Sequence, residues 1–262
     1  MNNITIIIPI VNYKENENII KRALNSISNF DGKILMVYGN NDKLDIEKCE
    51  FSENVLLLNN EGETDFCSQI NYAVSKCDSE FFSILEMDDE YSDIWFKNVE
   101  LYINKMPDVD ILMPIVELID YNDSDNIISF TNEIAWANAF TNEIGYIDFD
   151  CLENYYDFNL TGGVFRKSEF EKIGGLKKSI KVSFMYEFML RATSKGLKLY
   201  VVPKIGYYHY IGRDKSISET YKKCITEDEA KGWYDLAKIE YSYKEDRNKT
   251  PIKLSDEITE LK

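Results

Sequence analysis

Phe81-Phe82-Ser83-Ile84-Leu85-Glu86-Met87-Asp88-Asp89-Glu90 is the stretch whose reading decides the fold. An apolar, aromatic run of strand type ends in four carboxylates within five residues. Strand side chains favour burial, while clustered carboxylates resist it unless a cation or water compensates. A central strand whose C-terminal end opens into a cleft reconciles the two demands. Open α/β sheets bind ligands at that end. Oxygen ligands suit a hard cation such as Mg2+ or Mn2+, which in turn holds a phosphate. The competing reading is an acidic turn before a helix start, with Ser92 or Asp93 as the cap.

Upstream of this stretch, residues 4–11 form a continuous apolar run, the pattern of a strand buried on both faces, with Pro9 near its end. Asn12 to Asn18 are polar and loop-like. A helix follows, with Ile19, Ile20, Ala23, Leu24 and Ile27 on one face. Residues 34–38 and 55–58 read as further strands, ending in Gly39-Asn40-Asn41-Asp42 and Asn59-Asn60-Glu61-Gly62. Residues 66–77 are helical. Short apolar strands alternating with amphipathic helices predict a parallel sheet with right-handed crossovers. Asn12, Asn40, Asp42, Asn60 and Asp88 then share one rim of that sheet.

Downstream, the pattern changes. A helix is expected over 93–106, and a strand over 111–119 pairs with 127–130. Short aromatic helices follow at 134–140 and 151–156. A strand at 160–165 carries Gly162-Gly163, with a helical turn at 168–173 and a helix at 183–194. The strand 198–202 precedes Tyr207-Tyr208-His209-Tyr210. Residues 219–241 read as one acidic helical segment, and the last ~20 residues as a frayed end.

The chain has 262 residues, with 46 acidic against 30 basic and a formal charge of −16. That balance argues against a broad nucleic-acid footprint, which needs a basic face. No apolar run approaches the ~20 residues of a membrane span. The N-terminus enters Ile4-Thr5-Ile6-Ile7-Ile8 without a basic leader or cleavage site, so a cytoplasmic location is expected. The five cysteines are scattered and read as reduced thiols. A single histidine, His209, rules out a multi-histidine metal site.

In order and spacing these pieces resemble a family-2 inverting glycosyltransferase of the GT-A type. Thr5-Ile6-Ile7-Ile8-Pro9-Ile10-Val11-Asn12 resembles the family's first strand and its Pro-x-x-Asn exit. Asn71-Tyr72-Ala73 and the carboxylate strand resemble the Asn-x-Gly helix and the Asp-x-Asp-Asp strand, with Glu86 in place of the first Asp. Gly162 to Leu176 and Leu190 to Pro203 resemble the acceptor-side strands and helices. His209 with Ser216-Ile217-Ser218 resembles the closing segment.

The resemblance implies a mostly parallel α/β sheet flanked by helices, with a smaller antiparallel element on the acceptor side. It implies one domain over 1–218, with a nucleotide-sugar half at about 1–106 and an acceptor half at about 107–218. Residues 219–262 would be an acidic helical extension and tail. Glu86, Asp88, Asp89 and His209 would hold Mn2+ or Mg2+. Pro9, Asn12, Tyr13, Asn40, Asp42, Asn71, Asp88 and Arg213 would contact a nucleotide-diphosphate sugar. The acceptor would be a glycan, a protein or a modified nucleic acid.

An ungapped count from Gly175 to Arg191 puts the family's catalytic Glu-Asp pair on Phe184-Met185. Neither can accept a proton, so Glu187 is the expected base. The same replacement motivates a second class of function, a GT-A shell that binds without catalysing. A nucleotidyltransferase is a third reading, and it lacks a Gly-rich basic loop after the first strand.

Overall fold

The computed structural model of the protein describes residues 3–180, 182–214 and 216–241; the expected frayed end lies outside the described residues. In chain order the strands are β1 (Ile4–Pro9), β2 (Lys33–Gly39), β3 (Val55–Asn60), β4 (Phe81–Ile84), β5 (Glu90–Tyr91), β6 (Ile111–Asp120), β7 (Asp123–Thr131), β8 (Tyr146–Ile147), β9 (Val164–Arg166) and β10 (Leu199–Ile211). The helices are α1 (Tyr13–Ser26), α2 (Lys43–Ile46), α3 (Phe66–Lys76), α4 (Trp95–Lys105), α5 (Phe149–Asn154), α6 (Lys167–Lys172), α7 (Phe184–Ser194), α8 (Ile217–Cys224) and α9 (Glu227–Tyr241).

One mostly parallel α/β sheet runs in the order β3-β2-β1-β4-β9-β6-β10-β5, with β7 on β6 and β8 on β10. Strands β3, β2, β1 and β4 are parallel, so their C-terminal ends share one rim. Each face of β1 is buried. Ile7 joins Leu35, Phe82 and the apolar sides of α3 and α7, while Ile6 and Ile8 join Met36, Leu85 and those of α1 and α4. Period-two alternation thus divides a single Ile-rich strand between two cores.

The second half of the chain supplies the antiparallel part. Strand β9 runs against both β4 and β6, and β7 folds back on β6 as a hairpin. Strand β10 is longer than expected. Its register against β6 shifts between Val201 and Tyr207, then pairing resumes from Tyr207 to Ile211. Pro203 lies in the shifted stretch of β10, and Pro114 faces it from β6. Proline cannot donate to a ladder, so a bulge is where a sheet tolerates it. Tyr207 to Tyr210 therefore continue the strand instead of following it. The expected strand at 160–165 shortens to three residues because Gly162 turns at φ +70. The expected acidic helical segment at 219–241 is built as two helices, α8 and α9, and Thr226 precedes the second. Its hydroxyl accepts from Glu229 N–H at 3.2 Å while Glu229 reaches back to Thr226 N–H at 2.9 Å.

Helix α9 lies on α7. Ser183 Oγ donates to Trp233 O at 3.1 Å, and Lys238 Nζ to Glu153 O at 2.6 Å. No helix among the described residues is long and apolar enough to cross a membrane.

Gly162 fixes the position of Tyr207. A Cβ there would come within 2.4 Å of Tyr207 Cδ2, on a backbone that disfavours side chains. Gly162→Ala is expected to cost about 1–3 kcal/mol in chemical denaturation. An unchanged midpoint would show that the loop is free to move off Tyr207.

Candidate functional site

Strand β4 ends at Ile84 and the chain turns at once, with Asp89 N–H donating to Glu86 O at 3.1 Å. The turn brings Glu86 and Asp89 together, and β10 brings His209 opposite them. One ligand atom from each of these three residues lies within 4.8 Å of the others. Asp89 is fully buried. Its Oδ2 pairs with His209 Nδ1 at 2.7 Å, and its Oδ1 accepts from Tyr210 N–H at 2.9 Å. Tyr207 Oη accepts from Glu86 N–H at 2.9 Å. Alternation along β10 explains this geometry. Tyr207 and His209 face the turn, while the Tyr210 ring faces Arg22 at 3.9 Å.

The electrostatics show a site short of positive charge. Burial, then the neighbouring Asp89 charge, pushes Glu86 up to about 8. Burial also raises Asp89, against the pull of His209. Burial alone would lower His209, but Asp89, Glu86 and Asp88 carry it up to about 9. Crowded buried carboxylates hold protons unless a cation replaces them. Two carboxylates and an imidazole are a donor set that fits a divalent ion. With Nδ1 donating to Asp89, the neutral ring keeps its lone pair on Nε2.

Asp88 is placed differently from its expected role. It lies in the same turn, but its carboxylate accepts from Arg213 Nε at 2.7 Å and is not in the three-residue cluster. Arg213 follows Gly212, which turns at φ +86 and folds the guanidinium back over the site. Arg22, absent from the sequence reading, donates to Asp88 O at 2.6 Å and pairs with Glu90 at 3.0 Å. An Arg on a polar helix face carries no signal of this. Tyr207 was also missed, although period two from His209 points to it.

The nucleotide-side residues divide. Pro9 closes β1, and Asn12, Tyr13 and Asp42 meet at the start of α1, on the rim expected for them. Asn12 sits in the left-handed region at φ 51. Asp42 accepts from the N–H groups of Asn12 at 3.2 Å and Tyr13 at 2.7 Å. It thus caps α1 from another segment, which occupies the carboxylate expected at the nucleotide. Tyr13 is buried with its hydroxyl on Cys49 Sγ at 3.2 Å. Asn40 is exposed and accepts from Asn59 Nδ2 at 2.9 Å. Asn71, read as a nucleotide contact, has both amide atoms on the Leu176 backbone, at 2.8 and 2.9 Å. It ties α3 to the segment before α7.

Glu187, the expected base, is 0% exposed. Its Oε1 takes Arg191 Nε and Lys177 Nζ, each at 2.9 Å, together with the Tyr241 hydroxyl; Oε2 takes Arg191 Nη2 at 3.0 Å. Burial would raise its pKa, but these donors outweigh it and hold the carboxyl below its usual range. A general base needs a free lone pair and a pKa near the working pH. Glu187 has neither, so the structure corrects that expectation. Phe184, at the position of the family's catalytic pair, packs on Phe66 with ring centroids 5.5 Å apart.

The chain superposes on solved glycosyltransferases. The fold is GT-A. S. aureus TarS 1–349 in complex with UDP-GlcNAc superposes at a TM-score of 0.67, with 16% identity over 94% of this chain and 69% of that one. S. aureus TarS gives 0.57, with 15% identity over 98% of this chain and 46% of the larger protein. The mannosyltransferase PcManGT from Pyrobaculum calidifontis, in complex with GDP-Man and Mn2+, gives 0.60, with 12% identity over 81% of this chain and 58% of its own. No protein-family model matches the chain, and no curated protein matches it. At these identities the likeness establishes the GT-A fold.

Two outcomes follow from the site. Cation binding must displace protons from Glu86 and His209. Mn2+ affinity is therefore expected to climb as pH rises through about 8 and on toward about 9. Calorimetry in buffers of different ionisation enthalpy would show proton release; a flat profile with no release contradicts the cluster as the binding site. Glu187→Gln leaves Arg191 and Lys177 around a neutral group, and breaking a buried pair costs about 3–5 kcal/mol. A melting temperature equal to that of the parent chain would refute the cage.

Proposed function

We propose that this chain is a glycosyltransferase that binds a nucleotide-diphosphate sugar through a divalent cation and transfers the sugar, with inversion, to an acceptor hydroxyl. The observation that carries this reading is the cluster of Glu86, Asp89 and His209 at the C-terminal end of β4 in a GT-A sheet. Mn2+ suits the mixed oxygen and nitrogen donors better than Mg2+, which prefers oxygen alone. The ion would supply the charge that stabilises a departing diphosphate.

The chain's own residues do the rest. Asp89 orients His209 through Nδ1, and Tyr207 fixes the Glu86 backbone. Arg213 holds Asp88 while no diphosphate is present, and a phosphate is the stronger bidentate partner for a guanidinium. Were Arg213 to turn to a diphosphate, Asp88 would be free to join the residues that would hold the cation, as the resemblance implies for its position. Asn12, Tyr13 and Asn40 border the rim where the nucleoside would lie. The proton of the acceptor hydroxyl goes to a group other than Glu187.

The caged Glu187 and the apolar Phe184-Met185 favour one further reading, a GT-A shell that binds donor and does not turn it over. UDP-GlcNAc and GDP-Man, the donors in complex with the structural neighbours, head a panel of nucleotide sugars tested with Mn2+. Asp89→Asn is expected to weaken Mn2+-dependent nucleotide binding by about 10- to 100-fold in calorimetry. Unchanged affinity in that variant removes the proposed cation site. Binding without transfer or hydrolysis for every donor that binds selects the non-catalytic reading.

A further inference from the structure

Nine residues, Tyr155 to Gly163, connect α5 to β9, and they begin at an aromatic group that the donor site does not use. Tyr156 is 62% exposed. Its ring lies against Tyr234 of α9, with centroids 5.2 Å apart and planes tilted at 46°. It also meets Tyr186 of α7 edge-on at 6.5 Å, and Tyr186 lies 5.4 Å from Tyr234. Tyr186 is buried, with its hydroxyl on Leu152 O at 2.6 Å. It forms a rigid floor under the two outer rings. An exposed ring held by two others is a preformed surface that loses little entropy on binding.

Asp157 stands beside these rings. Its carboxylate makes no hydrogen bond or ion pair among the described residues. Burial, then the Asp157 charge, raises the phenol pKa of both Tyr155 and Tyr234, and Asp157 follows Tyr156 directly in the chain. Asp157 is exposed, and partial desolvation lifts it above the usual carboxylate range. Aromatic faces with a free acceptor beside them match a sugar, which presents C–H faces to rings and vicinal hydroxyls to a carboxylate.

The group lies on the acceptor side. Five residues on from Asp157, Gly162 packs on Tyr207, whose hydroxyl takes the Glu86 N–H. Five residues reach at most about 18 Å, a span of a few sugar units. Tyr234 comes from the helix that covers the start of α7, beside Phe184 and Met185. Charge restricts the occupant further. Helix α9 opens with Glu227, Asp228 and Glu229, and the chain carries −16 overall. Such a surface repels polyanions.

We propose that Tyr156, Asp157 and Tyr234 form a saccharide subsite on the acceptor side, and that the acceptor is a neutral glycan of several sugars. This rests on the sugar-transfer reading above and names its substrate class. Helix α9 is then part of the acceptor site as well as of the fold.

The test is binding of maltotetraose, cellotetraose and chitotetraose to the full chain, with a chondroitin sulfate tetrasaccharide as the polyanion. At least one neutral tetrasaccharide is expected to bind, and the sulfated one to bind more weakly. Tyr156→Ala should weaken binding about tenfold, the worth of one aromatic contact. Tyr156→Phe should restore it, and Asp157→Asn should weaken it. Nucleotide binding with Mn2+, measured on the same variants, should not change. The subsite is overturned if none of the neutral tetrasaccharides binds, if Tyr156→Ala binds as the parent does, or if the sulfated probe binds tightest. Tetrasaccharide binding that depends on Tyr156, in a chain that binds no nucleotide, keeps the subsite and removes the transferase reading. The reverse pattern removes the subsite alone.

Discussion

Asp89 accepts from a ring nitrogen of His209 and a backbone N–H of Tyr210, and so joins the turn after β4 to a strand about half the chain away. A fully buried carboxylate is stable only with such donors. The rest of the site follows from that clamp. It places the imidazole over Glu86 and sets the upper part of β10 against the turn. It also requires the Pro114 and Pro203 region to absorb a register shift, because β10 must reach past its first pairing with β6. Gly162 yields space to Tyr207 for the same reason.

Positive charge is distributed around this clamp without entering it. Arg22 reaches Glu90 and the Asp88 carbonyl, and Arg213 reaches the Asp88 carboxylate. Among the described residues no Lys or Arg forms an ion pair with Glu86 or Asp89; His209 pairs with Asp89, and the Arg213 charge acts on Glu86 from a distance. Burial raises the two carboxyls, and the carboxylates in turn raise His209. A protein selected only for stability gains nothing from two acids left in this state, since an apolar pair of similar volume would fold as well. The arrangement gains its sense when a cation takes the place of the protons.

Much of the fold was legible because continuous apolar runs mark strands buried on both faces, as in Ile4 to Pro9 and Phe81 to Leu85. The acidic turn was legible as a conflict between burial and charge. The roles of Asp42 and Asn71 were not, since each side chain is engaged by backbone far off in sequence: Asp42 by Asn12 and Tyr13, Asn71 by Leu176. Composition at a strand end or on a helix does not reveal such partners. Two misreadings had a signal in plain view. Thr226-Glu227-Asp228-Glu229 is a capping box that breaks the 219–241 segment, and alternation across Tyr207 to Tyr210 marks a strand.

Glu187 shows the limit of transferring a role along a resemblance. Its spacing to Arg191 announces an ion pair, but the sequence does not show that Lys177 and Tyr241 close the cage. Once closed, the cage joins the loop before α7, α7 itself and the end of α9 through one carboxylate. Arg191 extends it to the carbonyls of Ile173 and Gly175. An acid with that duty cannot also move a proton, because any motion toward a substrate would leave the buried Arg191 without its carboxylate partner. The rim end of α7 is meanwhile apolar, closed by Phe184 on Phe66. On the proposed reading, transfer with inversion needs a base carried by an element other than α7. The elements that border α7 at that end, α9 and the segment after α5, are the ones that bring Tyr234, Tyr156 and Asp157 to the surface. The apolar Phe184-Met185 and the docking of α9 thus fall on the same side of α7, the side on which the proposed reading brings in the acceptor.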